Sequence, residues 1–331
     1  MQFPSLFKQP KTETTIAIFL EQAIPSFCVK KRQVERLCEM FPDVEFVRCR
    51  SVEAFVEALP RVTVALTNTF RPEWFALAPK LRYILCPAAG RDVLNPVPLE
   101  PPPEVYIHYG SFHGKLMAET VVGLMLAFNR GILCAYEEQI YGNLWPSKQL
   151  CRPSVVRMLR GSHAAIVGFG SIGQWISKLL VPLGVRVTGI RRTPPAVRPE
   201  WFCPGDRVMS ASLLDAVLPS VDHLILALPS DASTDKLIDA SHLARLPRHA
   251  VVYNVGRGNC IDEDALAAAL TSKRIRGACL DVFDKEPLTY SSPLSDDLPG
   301  LVRMPHASAF GDVYLDLYVD EIIPIIRTIT R

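Results

Sequence analysis

Residues 164–180 read AAIVGFGSIGQWISKLL, and this stretch decides the fold. A short apolar run leads into Gly168-Phe-Gly170-Ser-Ile-Gly173, and a helix-forming segment follows. A G-x-G-x-x-G string alone is weak evidence, but a strand before it and a helix after it are the setting it requires. In that setting Gly168 permits the tight turn, Gly170 lets the backbone approach a pyrophosphate, and Gly173 lets the helix pack close to the strand. The N–H groups of Ser171 and Ile172 then face the phosphates, aided by the helix dipole. The bland alternative is a strand–helix turn that holds no ligand.

The same alternation continues on both sides. Downstream, strand-like runs fall at 186–190, 223–227, 250–254, 277–281 and 301–304, after the first at 164–167, with helical stretches at 172–183 and 263–271. Upstream, short β-branched and apolar runs fall at 15–20, 44–47, 62–67, 81–86 and 105–108, with helical stretches at 27–40 and 52–59. Strands alternating with helices predict mostly parallel sheets covered by helices. Between the two runs lies NPVPLEPPP (95–103), a loop because proline removes backbone donors. After it, AETVVGLMLAFNRG (118–131) reads as a well-buried helix closed by a glycine. A last helix at 312–328 is apolar on one face and is expected to return to the first lobe.

The expected fold is therefore α/β, with two Rossmann-like or flavodoxin-like lobes, each a mostly parallel sheet flanked by helices. A substrate domain at 1–114, completed by 308–331, would face a dinucleotide-binding domain at 115–307 across a cleft holding the active site.

Composition narrows the class. Of 331 residues, 49% are hydrophobic and 21% charged, which suits a packed globular protein rather than a disordered one. Lys and Arg total 36 against 34 Asp and Glu, so a net charge of +2 gives no footprint for a nucleic-acid or anionic-membrane partner. The 9 cysteines are odd in number and include no Cys-x-x-Cys, which argues for scattered buried thiols and against a disulfide framework or a zinc site; no metal is expected. The opening MQFPSLFKQPKTETT lacks the apolar core of a secretory signal, and the longest apolar runs are too short to span a bilayer. A cytoplasmic enzyme is the expectation.

The end of the second strand of the nucleotide lobe bears on cofactor choice. Sites that prefer NAD usually place an acid there. Here the run 185–190 ends in Arg191-Arg192-Thr193, with no acid. Two guanidinium groups and a hydroxyl suit the 2′-phosphate of NADP, which an acid would repel. NADP(H) is favoured and NAD(H) stays open, since either arginine can be solvated or stack on an adenine.

Three motifs lie past candidate strand ends, where ligands bind in open α/β sheets. They are Asn254-Val-Gly-Arg257-Gly258, Asp281-Val-Phe-Asp-Lys-Glu286-Pro287 and Pro305-His306. On these motifs the chain resembles the D-isomer-specific 2-hydroxyacid dehydrogenases, and the reaction this resemblance implies, reduction of a 2-oxo acid, needs a group to hold the carboxylate and another to protonate the forming alkoxide. The planar fork of Arg257 suits the first task. His306 suits the second, because imidazole is the side chain that titrates near neutrality. Glu286 would orient the imidazole and stabilise its protonated form. Singly, each has a bland alternative: a surface ion pair, a solvated loop acid, a strand-end histidine. His108 and His113 either tune a cleft mouth or, preferably, are structural loop residues. Phe310 either shapes a pocket or packs.

Within that family the resemblance is to the glyoxylate/hydroxypyruvate reductase-like form. The resemblance extends to LRYILCPAAGRDVL (81–94), AETVVGLML (118–126) and VDHLILALPSDASTDKLI (221–238), and covers most of the chain from about Leu81 onward. It implies that Arg257, Glu286 and His306 form the catalytic set. It implies too that Ala89 and Gly90, with Arg257, bind the substrate carboxylate through the loop backbone, and that Asp281 lies near the nicotinamide. By the same resemblance Pro229, Thr234 and Val255 join the cofactor-binding set. The implied activity is reversible NAD(P)H-dependent reduction of a 2-oxo acid to the D-2-hydroxy acid, in a homodimer paired through the apolar helix 118–128 and its neighbours. Pro87 and two alanines replace a more glycine-rich loop, and Ala-Ser-Ala follows His306 where a glycine is usual, so the substrate pocket departs from the common pattern. A non-enzymatic NAD(P)H-sensing corepressor-like protein and a phosphite-type dehydrogenase remain as rivals. A phosphoglycerate dehydrogenase with a regulatory tail is disfavoured, because the sequence stops at residue 331.

Overall fold

The structure, a computed structural model, describes residues 14–330 except 23, 25, 26, 96, 98, 153 and 154. The polar opening segment and two prolines of the 95–103 loop thus lie outside the described residues; the rest of that loop forms neither strand nor helix. The chain divides into two compact units, one holding the described residues up to His113 and from Phe310 onward, the other Gly114–Ala309.

The first unit is built on β1 (Thr15–Phe19), β2 (Glu45–Arg48), β3 (Val64–Thr67), β4 (Tyr83–Cys86) and β5 (Tyr106–Tyr109). All neighbours run parallel, in the order β2-β1-β3-β4-β5, the flavodoxin-like arrangement. β1 and β3 are buried at every residue, as strands covered on both faces must be. Phe55 and Trp74 meet edge to face at 5.5 Å inside the core. The last helix, Tyr314–Ile329, belongs to this unit. Its Tyr318 hydroxyl donates to the Leu85 carbonyl at 2.6 Å, and Arg36 pairs with its Asp320 at 2.6 Å. Buried Tyr314, Leu315, Tyr318, Val319, Ile322, Ile323 and Ile326 form the apolar stripe read from the sequence.

The second unit carries β6 (His163–Val167), β7 (Arg186–Arg191), β8 (Arg207–Ser210), β9 (His223–Leu226), β10 (Val251–Asn254), β11 (Gly277–Leu280) and β12 (Leu301–Arg303). Their order is β12-β11-β10-β9-β6-β7-β8, all parallel. Counted from β6, this is the 3-2-1-4-5-6 order of a dinucleotide-binding sheet with one further strand on the edge. The order reverses between β6 and β9, which opens a crevice at their carboxyl ends.

Four readings of the sequence need correction. β8 went unseen because RVMS is a short, half-buried edge strand with little apolar signal. It is set by Asp206, whose carboxylate accepts from the Val187 and Cys203 N–H groups, both at 2.8 Å. The apolar helix begins earlier, spanning His113–Asn129, and Gly131 at φ +68° turns the chain into a second helix, Ile132–Ile140. His108 lies in β5 and His113 in that helix, so neither is a loop residue. All nine cysteines are free, but only Cys49, Cys86, Cys260 and Cys279 are buried. Among the described residues no cluster fit to hold a metal occurs, and no single helix is long and apolar enough to cross a membrane.

Candidate functional site

The glycine turn sits at the carboxyl end of β6. Gly168 has φ +91°, and a Cβ there would stand 2.4 Å from the Ala227 carbonyl oxygen of the loop after β9. A Cβ on Gly173 would stand 2.6 Å from the Gly168 oxygen, so helix and strand touch. A Cβ on Gly170 would meet nothing within 4 Å. The first and third glycines are thus demanded by the fold, and the second opens onto empty space. Ser171 and Ile172 begin the helix Ser171–Leu180, where amide hydrogens lie outside the helical ladder. Open space in front of a helix N-terminus at the switch point fits the pyrophosphate of a dinucleotide.

Arg191 ends β7, and Arg191, Arg192 and Thr193 are all exposed. Neither arginine has an ion pair among the described residues. Pro229 is exposed, whereas Thr234 is buried with its hydroxyl used inside its own loop, donating to the Pro229 carbonyl at 2.9 Å. Val255 is buried in the apolar cluster with Ile166 and Ile225, so its backbone is what it offers a ligand.

The three polar motifs follow β10, β11 and β12, which are neighbours in the sheet. Past β10, buried Asn254 braces the turn: its amide donates to the Arg257 carbonyl at 2.9 Å and its oxygen accepts from Gly256 N–H at 3.0 Å. The half-buried Arg257 guanidinium donates to the Gly256 carbonyl at 2.9 Å. A Cβ on Gly258 would stand 1.8 Å from the Phe283 carbonyl carbon, so the loops after β10 and β11 are pressed backbone to backbone.

Past β11 and β12, Glu286 and His306 meet. His306 Nδ1 lies 2.8 Å from Glu286 Oε2, and the other carboxylate oxygen accepts from Phe283 N–H at 3.0 Å. The imidazole is half exposed, which leaves its Nε2 edge for a reacting partner. Asp281, 3% exposed, does not present its carboxylate outward. Both oxygens accept backbone N–H groups, of Ala307 at 2.6 Å and Ser308 at 3.0 Å. The sequence reading assigned Asn254 no role, although a polar residue closing an apolar strand was a visible signal.

In the first unit the Pro87-Ala88-Ala89-Gly90 turn follows β4. Ala89 is exposed and Gly90 caps the short helix Arg91–Leu94. Gly110 N–H donates to the Cys86 and Ala88 carbonyls at 2.9 and 3.0 Å, and the Tyr314 hydroxyl to Pro87 at 3.3 Å. Buried His113 backs that hydroxyl at 2.9 Å, its titration pushed down to about 4 by burial. Phe310 is exposed and packs edge-on against Phe27 at 5.1 Å.

Residues 122–308 match the family described as D-isomer specific 2-hydroxyacid dehydrogenase, NAD binding domain. A glycerate dehydrogenase of Methylorubrum extorquens is 29% identical over 82% of this chain and 83% of its own. A glyoxylate/hydroxypyruvate reductase B of Pectobacterium carotovorum is 32% identical over 69% of each chain. A D-isomer specific 2-hydroxyacid dehydrogenase of Xanthobacter autotrophicus, crystallised with NADPH and MES, superposes with a TM-score of 0.78 at 27% identity, over 96% of this chain and 95% of that one.

Proposed function

The chain belongs to the D-isomer specific 2-hydroxyacid dehydrogenases, and from that premise we propose that it reduces a small 2-oxo acid to the D-2-hydroxy acid, reversibly, with NADPH as the favoured cofactor. The observation that carries this reading is the His306–Glu286 pair at 2.8 Å, standing past β12 and β11, consecutive in the sheet with β10, which leads to Arg257. The glycine turn at 168–173 would hold the pyrophosphate, and Arg191, Arg192 and Thr193 the ribose phosphate. The nicotinamide, when bound, supplies the hydride.

The chain's own residues do the rest. Arg257, with the backbone around Ala89 and Gly90, takes the carboxylate and orients the 2-oxo group. His306 donates its Nε2 proton to the oxygen as negative charge develops there, and Glu286 holds the ring by its opposite nitrogen. In the reverse direction the neutral ring takes the hydroxyl proton. NADPH preference is supported by two exposed arginines at the end of β7 that make no ion pair among the described residues, where NAD sites usually place an acid. A homodimer paired through the apolar helices His113–Asn129 and Ile132–Ile140 belongs to the same proposal, supported by exposed Ile132, Tyr136 and Ile140.

Steady-state assay of glyoxylate, hydroxypyruvate and larger 2-oxo acids with NADPH and NADH tests the reading. Turnover is expected with NADPH preferred, and His306→Asn should lower kcat about 10²–10⁴-fold. No turnover with any 2-oxo acid refutes the enzyme; preference for NADH refutes the role of the arginines.

A further inference from the structure

At the amino-terminal edge of the second unit's sheet lies a cavity of about 360 Å³, lined by Asn129, Arg157, Arg160, Asp222, His223 and His249 among others. It is not the dinucleotide turn. His163 and His223 open β6 and β9 beside it, whereas Gly168 follows the far end of β6. Five residues of strand put the two about 16 Å apart on opposite edges of the sheet. Three of the chain's seven histidines gather at this edge.

Its charge is unbalanced. Two guanidinium groups and the His249 imidazole line the cavity against one carboxylate, Asp222. That carboxylate is already engaged, accepting from His163 N–H at 2.7 Å and meeting His249 Nε2 at 2.6 Å. Arg157 forms a long ion pair with it at 3.6 Å. Arg160 has no hydrogen bond or ion pair among the described residues.

The floor is polar and dry. Asn129 is 3% exposed and His223 2%, and burial pushes His223 down to about 4, so it stays neutral. The Asn129 amide nitrogen lies 3.4 Å from His223 Nε2, and the other ring nitrogen of His223 meets the Tyr253 hydroxyl at 3.1 Å. Beside them exposed Gly161, at φ +83°, donates its N–H to the Gly184 carbonyl at 2.8 Å and has nothing within 4 Å of a Cβ position.

We propose that this cavity is a second ligand site, which binds a small anion through a phosphate or carboxylate head group held between Arg157 and Arg160. Guanidinium forks match both head groups, and a half-enclosed anion between two of them gains more than an exposed pair does. A volume of 360 Å³ exceeds a bare phosphate and leaves room for a short organic body over Asn129 and His223. This site is independent of the enzymatic reading, because none of its residues serves the glycine turn or the His306 motif.

The test is isothermal titration calorimetry of the full chain with inorganic phosphate and, separately, malonate, with and without saturating NADPH. Binding of at least one anion is expected to persist when NADPH fills the cofactor turn, and the better binder identifies the head group. Arg157→Gln/Arg160→Gln should weaken it about tenfold or more. Should that double variant misfold, Arg160→Gln alone serves, since its side chain is exposed and unpaired among the described residues. No binding of either anion, binding abolished by NADPH, or binding unchanged in these variants overturns the proposal.

Discussion

His306 stands at φ +54°, in the left-handed region that a histidine keeps only where its surroundings hold it. What holds it is Asp281. The His306 N–H donates to the Asp281 carbonyl at 2.8 Å, and the next two N–H groups go to the Asp281 carboxylate. Glu286 then fixes the ring, so one acid sets the backbone of His306 and another sets its side chain. Asp281→Asn keeps the shape but offers one acceptor to two N–H groups. It should cost about 1–3 kcal/mol of unfolding free energy. It should also lower kcat while leaving KM for the cofactor near its wild-type value. A rise in that KM with kcat intact would return Asp281 to the nicotinamide, where the resemblance puts it. Arg257, Glu286 and His306 were legible because each is polar and stands just past a strand end. Asp281's task was not, because its partners are backbone groups 26 and 27 residues away, and no local pattern encodes them.

At the scale of elements, legibility followed burial. Fully buried strands such as β6 and β9 declare themselves as apolar runs, and the helix Glu263–Thr271 was read to the residue, its N-cap Asp262 accepting from Ala265 N–H. Half-buried β8 carried no such signal. The helix Ile132–Ile140 was missed as well: only Leu133 packs on the core, and much of its apolar surface faces outward. Ile132, Tyr136 and Ile140 recur every fourth residue on one face and are 56%, 65% and 64% exposed. An apolar stripe left in water marks an interaction surface. Light scattering coupled to size exclusion should give twice the chain mass at micromolar concentration, and Tyr136→Ser/Ile140→Ser should shift it toward one chain mass. A wild-type protein that runs as a single chain sinks the dimer.

At the scale of the molecule, each unit closes its own parallel sheet, and each buries histidine: His113 in the first, His163 and His223 in the second, all pushed down by burial, His113 and His223 the furthest. In the first, His113 is 5% exposed, with Nε2 on the Tyr314 hydroxyl and Nδ1 buried without a partner among the described residues. In the second, His223 sits against Tyr253 at 3.1 Å. Burial pushes both down to about 4, below the ordinary value of 6.5. The depressed value fixes the sign. Above pH 6.5 neither the folded nor the unfolded chain carries these protons, and the full stability is present. As pH falls through that value toward 4, the unfolded chain takes up protons that the folded one refuses, and stability drains away. At about pH 5 the loss is on the order of 2 kcal/mol for each histidine. Urea midpoints should therefore fall steeply between about pH 7.5 and pH 5, a window above the range where most carboxylates titrate. His113→Gln and His223→Gln should each remove a share of that slope, because glutamine keeps a polar group without the proton uptake. An unaltered slope in both variants would mean that the acid sensitivity arises elsewhere, and that neither buried imidazole is neutral for the reason given.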